Sequence, residues 1–260
     1  MATQRIILLG MNQAKPPDRK EIEKQGFEQR VLKLASPDGI FQKAANIIAG
    51  VQLEGDCDYL EFGVSQGAGV VAAYRALEKA YAGQKYNFQT TAPDAAKRKR
   101  IWRNFRFFGF DSYQGMPEIR GIDAVGFDFR KGQFACSAKD ARANIVGGGV
   151  PEHRLHLVKG WYDSTLTAKT ASRLKLRNAA LIHVDCDLYE STRSVMSFIK
   201  PLLVDGTVIV LDDWYCFNGN PDLGEQKAFY ELRAELPDWH FVEFQKDASF
   251  RNSFILSRKR

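Results

Sequence analysis

No run of apolar residues in this 260-residue chain approaches the roughly 18 that a membrane span requires. The apolar stretch near the N-terminus, within MATQRIILLGMNQAKPPDRKEIEK, is too short for a secretory signal. The expectation is a soluble, cytoplasmic protein with no membrane partner. Cysteine is scarce: Cys57, Cys136, Cys186 and Cys216 form no C-x-x-C pair, which excludes a disulfide framework and a cysteine zinc site and leaves small buried fillers. Internal repeats and low-complexity tracts are missing as well. The charge imbalance is small, a net +6, but it is uneven, because AAKRKRIWRNFRF (95–107) carries much of it. The basic residues of 97–106 alternate with aromatics, a pattern able to track nucleic-acid phosphates, although a solvated surface or an anion-binding loop is the commoner use.

What is present is the composition of an ordinary folded domain, 45% hydrophobic and 26% charged. GIFQKAANIIAGV (39–51) puts Ile40, Phe41, Ala44, Ile47 and Ile48 on one helical face. The charged, proline-bearing residues before it read as an irregular arm, so 1–50 form an N-terminal arm and helix, a candidate lid. Residues 51–260 read as one domain in which strands alternate with helices. The strands are DYLEFGV (58–64), NFRFFGFD (104–111), RLHLVKG (154–160), AALIHVD (179–185) and TVIVLDD (207–213). Helices are expected near 67–83, 137–146, 165–175, 190–203 and 222–235. The pattern predicts an α/β fold, a doubly wound Rossmann-like sheet, mostly parallel. HFVEFQK and NSFILSR, with no room for a helix between them, predict an antiparallel C-terminal edge hairpin. Insertions near 84–103 and 112–136 match no regular element.

In open parallel sheets, ligands bind outside the carboxyl ends of the strands. Those ends carry Glu61 and Gly63, then Asp111, then Trp161 and Asp163, then Asp185 and Asp187, then Asp212 and Asp213. EFGVSQGAG supplies Gly63, Gly67 and Gly69, a turn that lets a nucleotide-like group approach the backbone. Its spacing is not G-x-G-x-x-G, and the next acid comes too late for a nicotinamide site. Asp111 instead suits the two ribose hydroxyls of S-adenosylmethionine, with Glu61 below its amino-acid end; capping of the following helix is the structural alternative for either acid.

Asp185, Asp187, Asp212 and Asp213 form a second constellation. Consecutive strands joined by one helix are often neighbours, so Asp185 and Asp212 fall close together, and several such carboxylates repel unless a cation resolves them. All-oxygen ligands favour Mg²⁺ or Mn²⁺ over zinc. Helix capping by Asp187 and Asp213 is the alternative. A haloacid-dehalogenase-like phosphatase has the same acidic dipeptides, but in the wrong order along the chain. A glycosyltransferase D-x-D leaves the glycine turn and the second acidic pair unexplained.

Taken together and in order, EFGVSQGAG, FGFDSYQGMP (108–117), VKGWYDSTL (158–166), HVDCDLYEST (183–192) and VIVLDDW (208–214) resemble the macrocin O-methyltransferase family. The resemblance spans about 55–216. It implies an S-adenosylmethionine-dependent, Mg²⁺-dependent enzyme that methylates a hydroxyl of a small molecule, most often a sugar of a natural product. It implies that Asp185, Asp212 and Asp213 hold the metal and that Asp187 is the general base. It also implies that Asp111 and Ser112 of D-S-[FY]-x-G-x-P, Gly63 and Gly67, Glu61 and Asp185 serve the cofactor, with Trp161 and Asp163 near the adenine. His183 shares the strand face of Asp185 and is either a second catalytic candidate or a hydrogen-bonded core histidine. Departures are Gly67-Ala68-Gly69 where Gly-Gly-Ser is usual, and Tyr113, Met116 and Trp214 for Phe, Leu and Tyr. A catechol-type phenol is the alternative acceptor, and self-association is expected from relatives. A nucleic-acid-binding protein or a degenerate fold serving only as a binding module are the readings outside this chemistry.

Overall fold

The computed structural model describes residues 19–50, 56–82, 92–126, 128–248 and 250–260. Two helices come first, α1 (Arg19–Leu34) and α2 (Ile40–Gly50). Then follow β1 (Cys57–Phe62), α3 (Ala68–Ala82), α4 (Ala92–Asn104), β2 (Arg106–Asp111), α5 (Ala138–Gly147) and β3 (Leu155–Lys159). The second half holds α6 (Tyr162–Thr165), α7 (Ala168–Leu174), β4 (Asn178–Val184), α8 (Tyr189–Ile199), β5 (Val208–Leu211), α9 (Gly224–Glu235), β6 (Trp239–Asp247) and β7 (Arg251–Arg258).

The seven strands lie in the order β3-β2-β1-β4-β5-β7-β6. Pairing is parallel from β3 through β5, and β7 runs antiparallel to both β5 and β6, so the closing hairpin forms the edge the sequence predicts. The central strands are buried on both faces because an apolar layer covers each. One face packs Val70, Val71, Leu77, Ile101 and Ile145 from the first-half helices, and the other packs Val195, Ile199, Phe229 and Leu232 from α8 and α9. The order of succession reverses between β1 and β4, with β2 and β3 added on one side and β5 on the other, which opens the crevice at their carboxyl ends that such sheets use for ligands.

Three expectations need correction. The charged stretch read as an irregular arm is helical from Arg19: Phe27, Val31 and Leu34, spaced four and three residues apart, give α1 a buried stripe among many charges. Residues 1–18 and 84–91 of the arm and insertion lie outside the described residues. The insertion near 84–103 is helical over Ala92–Asn104, with Ile101 buried and Lys99, Arg100 and Arg103 exposed, so two turns of charge masked a short amphipathic period. The helix expected at 165–175 is broken, because Leu166 and Thr167 leave helical geometry and Thr167 starts α7 by accepting the Thr170 amide. Among its described residues, the stretch 112–136 has one short 3-10 turn, Gly121–Ala124, as its regular structure.

The aromatics of the basic segment face inward. Trp102 stacks on Tyr81, and the Arg154 guanidinium lies 4.1 Å from the Trp102 ring, while Phe105 is fully buried. These rings are not displayed for stacking on bases. Among the described residues, no helix is long and apolar enough to cross a membrane.

Candidate active site

The carboxyl ends of β1, β2, β3, β4 and β5 open into one cavity of about 770 Å³. Gly63, Asp111, Ser112, Trp161, Asp163, His183, Asp185, Asp187, Asp212 and Asp213 line it, so most residues expected from the strand ends meet there. Gly63 sits at φ +92°, and a Cβ there would overlap the carbonyl of Asp185 on the neighbouring strand. Its glycine is demanded first by the closeness of β1 and β4 at the switch point, and only then by a ligand.

Two expected residues lie apart from the cavity wall. Gly67 packs against Ile145 at the start of α3. Glu61, 1% exposed, lies beneath the floor, where Tyr59 Oη donates to it at 2.5 Å and His183 Nδ1 stands 3.7 Å away.

Asp111 is fixed by the turn it faces. Oδ2 accepts the amides of Val64 (2.7 Å) and Ser65 (2.8 Å), and Oδ1 accepts that of Tyr113 (2.6 Å). The three bonds hold the glycine turn and the β2 exit together; Oδ2 has both lone pairs engaged, and Oδ1 keeps one for a ligand hydroxyl.

The acidic floor is more complex than its sequence suggests. Asp212 Oδ1 accepts from Arg251 Nε of β7 at 2.5 Å and lies 3.3 Å from His183 Nε2. Burial alone would raise the Asp212 carboxyl, but His183 and the Arg251 guanidinium outweigh it and hold it well below the usual range. Burial also works against charge on His183, yet Asp212 and Glu61 push it up to about 10. Asp185 is driven up by burial and by the charges of Asp212 and Asp213, and Asp213 by burial and by Asp187 and Asp212. Glu225 of α9, which accepts the Asp213 amide at 3.0 Å, is raised by burial and the same aspartates. Asp187 rises to about 7, through burial and the charge of Asp185.

One ligand atom each from His183, Asp185 and Asp212 come within 4.8 Å of one another. Asp213 is outside that trio, but its Oδ2 and Glu225 Oε1 are buried without hydrogen-bond partners among the described residues. Crowded carboxylates, orphaned buried oxygens and only two cationic neighbours are what a hard divalent cation would satisfy, so the residues fit one. The chain does not stay extended through Cys186: β4 ends at Val184 and Asp187 is left-handed at φ +59°. Asp185 and Asp187 reach the cavity by a tight turn rather than by strand alternation.

Sequence reasoning missed Arg251, Glu225 and the α1 residues Arg30 and Lys33 that stand in the cavity wall. Only the late strand and helix packing brings the first two to Asp212 and Asp213, and no local spacing signals it.

A sequence model of the family described as Macrocin-O-methyltransferase (TylF) matches residues 94–233. A Streptomyces olivaceus protein named 8-demethyl-8-(2,3-dimethoxy-alpha-L-rhamnosyl)-tetracenomycin-C 4'-O-methyltransferase is 34% identical over 110 residues, 40% of each chain. Demethyldecarbamoylnovobiocin O-methyltransferase of Streptomyces niveus is 25% identical over 132 residues, 48% of each. The matched region thus spans less than half the length of these curated relatives. The solved structure of the O-methyltransferase NovP superposes with a TM-score of 0.63 at 17% identity, over 91% of this chain and 99% of that one, and shares its fold.

Proposed function

This chain belongs to the macrocin O-methyltransferase (TylF) family, and on that premise we propose that it transfers a methyl group from S-adenosylmethionine to a hydroxyl of a sugar on a natural product, with a divalent cation at the acidic floor. The observation that carries the reading is the meeting of Asp111, Asp185, Asp187, Asp212 and Asp213 in one cavity whose volume suits a cofactor and an acceptor together.

S-adenosylmethionine supplies an electrophilic methyl on a sulfonium. Asp111, held by three backbone amides, orients the ribose, and Gly63 leaves the turn open beside it. Trp161 and Asp163 form the wall at the β3 end and would lie beside the adenine. Asp185 and Asp212, with Asp213 beside them, would hold Mg²⁺ or Mn²⁺, which would supply Lewis-acid polarisation of the acceptor hydroxyl. Asp187 would take the hydroxyl proton as the bond from the acceptor oxygen to the methyl carbon forms and the methyl–sulfur bond opposite it breaks, with S-adenosylhomocysteine as the leaving group. His183 is the poorer base, because Nε2 faces Asp212 and Nδ1 faces Glu61, so its geometry serves to orient Asp212.

The substrate class rests on the two curated relatives, which act on a rhamnosyl tetracenomycin and on a novobiocin precursor according to their names. A phenolic acceptor is the second reading, favoured by Phe134, exposed in the cavity wall that also contains Trp161. The test is transfer of label from methyl-labelled S-adenosylmethionine to a rhamnosyl tetracenomycin glycoside and, in parallel, to catechol. Transfer to the glycoside that stops with a chelator and returns with Mg²⁺ is expected. Transfer to catechol alone would replace the sugar by a phenol.

A further inference from the structure

The stretch 112–136 has little regular structure, yet it is tied down at three places. At its base Met116 N donates to Gln133 O (2.9 Å) and Gly132 N donates to Met116 O (2.9 Å), closing a strap. Beyond the base, the Phe129 ring meets Phe217 after β5, with centroids 6.1 Å apart. Between these lies Asp123, only 3% exposed. Its Oδ1 accepts the Tyr189 amide at 2.7 Å and its Oδ2 the Glu190 amide at 3.2 Å.

Those amides are the first two of α8, and a helix start leaves such donors without intrahelical partners. A serine, threonine or aspartate just before the helix would normally accept one of them, but the N-cap here is Leu188, whose side chain makes no such bond. Asp123 does the capping from a distant part of the chain, where its charge also suits the positive end of the helix. The consequence reaches the chemistry, because Asp187 lies two residues before Tyr189 and is left-handed at φ +59°, a conformation uncommon for a residue with a side chain although aspartate adopts it more readily than most. The two ends of the strap meanwhile put Met116, Pro117, Gln133 and Phe134 into the cavity wall.

We propose that Asp123 is a positioning residue: by accepting the first two amides of α8 it locks the 112–136 strap across the cavity and fixes the turn that aims Asp187. The inference rests on the methyltransferase reading for the role of Asp187, but the lock itself can be tested without turnover. Asp123→Asn keeps one carbonyl oxygen for an amide, and Asp123→Ala keeps none.

The experiment is hydrogen exchange by NMR on wild type and both variants, with calorimetry of S-adenosylhomocysteine and turnover of the rhamnosyl tetracenomycin glycoside. In Asp123→Ala the amides of Tyr189 and Glu190 are expected to exchange at least about tenfold faster, and in Asp123→Asn by less, while amides of β1 and β4 keep their protection. Affinity for S-adenosylhomocysteine stays within about twofold, because Asp111 and the glycine turn are untouched. With the glycoside, kcat falls at least about tenfold in Asp123→Ala and recovers in part in Asp123→Asn, with KM for S-adenosylmethionine unchanged. Unchanged protection of Tyr189 and Glu190 would overturn the proposal, and so would a loss of protection across β1 and β4 together with cofactor affinity, which marks a purely structural role. A wild type that binds no S-adenosylhomocysteine and methylates nothing would refute the methyltransferase reading, and the exchange of the two amides would still decide whether Asp123 holds the turn.

Discussion

Asp187 and Asp185 stand two residues apart and carry different duties. Asp187 lies in the cavity wall beside the acidic floor, and its replacement by asparagine preserves shape while removing the proton acceptor. Asp187→Asn is therefore expected to bind S-adenosylhomocysteine as wild type does and to lose about 10²-fold or more in turnover, measured by calorimetry and methyl transfer. The floor acids also predict a pH effect. Asp185, Asp213 and Glu225 have carboxyls raised above the ordinary range in the folded chain, first by burial and then by the charges of the neighbouring aspartates. In the cation-free protein the folded state then holds more protons than the unfolded state, so stability falls as pH rises above the unfolded carboxylate range of about 4. Asp212 is shifted the other way, so its contribution is present above the unfolded carboxylate range of about 4, is lost only as pH falls below it, and leaves the slope at higher pH unchanged. Thermal midpoints should drop between about pH 4 and 8 without a divalent cation, flatten with saturating Mg²⁺, and flatten in part in Glu225→Gln. At this scale the aspartates were legible because each ends an apolar run. Arg251 was not, since its contact with Asp212 depends on β7 pairing beside β5.

Elements were legible where apolar periods are strong. The β1 and β4 runs are buried throughout or nearly so, as strands covered on both faces are, and the polar Asp58, Glu61 and His183 within them are buried too. The period failed where few apolar residues carry a helix, as in α1 and α4. The inward side of α4 gives a clean test of what its basic face does. Trp102→Ala removes a ring that meets Tyr74, Tyr81 and Arg154 and should cost roughly 3 kcal/mol in chemical denaturation. Replacing the exposed Lys99, Arg100 and Arg103 together by glutamine should change stability by less than about 0.5 kcal/mol and leave S-adenosylhomocysteine binding intact. Steeply salt-dependent binding of the wild-type chain to RNA or DNA, lost in the glutamine variant, would instead support the nucleic-acid role.

Across the whole molecule the sheet separates chemistry from support. Its carboxyl edge gathers the cavity acids. At its opposite edge Asp58 is completely buried between Arg106 (2.9 and 2.8 Å) and Arg177 (3.0 Å), with the Arg177 amide at 2.9 Å, and Arg177 also pairs with the less buried Asp56 at 2.7 Å. Asp58→Ala would leave two guanidinium groups without their shared partner and is expected to cost roughly 3 kcal/mol of stability while turnover per folded molecule stays unchanged. Alternation of strands and helices makes the doubly wound class legible, whereas the strap at 112–136 leaves no periodic trace, because its order comes from Met116 closing on Gly132 and Gln133 and from Asp123 and Phe129 meeting distant parts of the chain. The central claim, a site for S-adenosylmethionine at the junction of β1, β2 and β4, is tested most directly by titrating the purified chain with S-adenosylhomocysteine in a calorimeter. One equivalent bound per chain is predicted, with folded-state stabilisation of about 2.7 kcal/mol when free ligand reaches a hundred times Kd. Absence of binding heat, with no change in thermal midpoint at millimolar ligand, would contradict it.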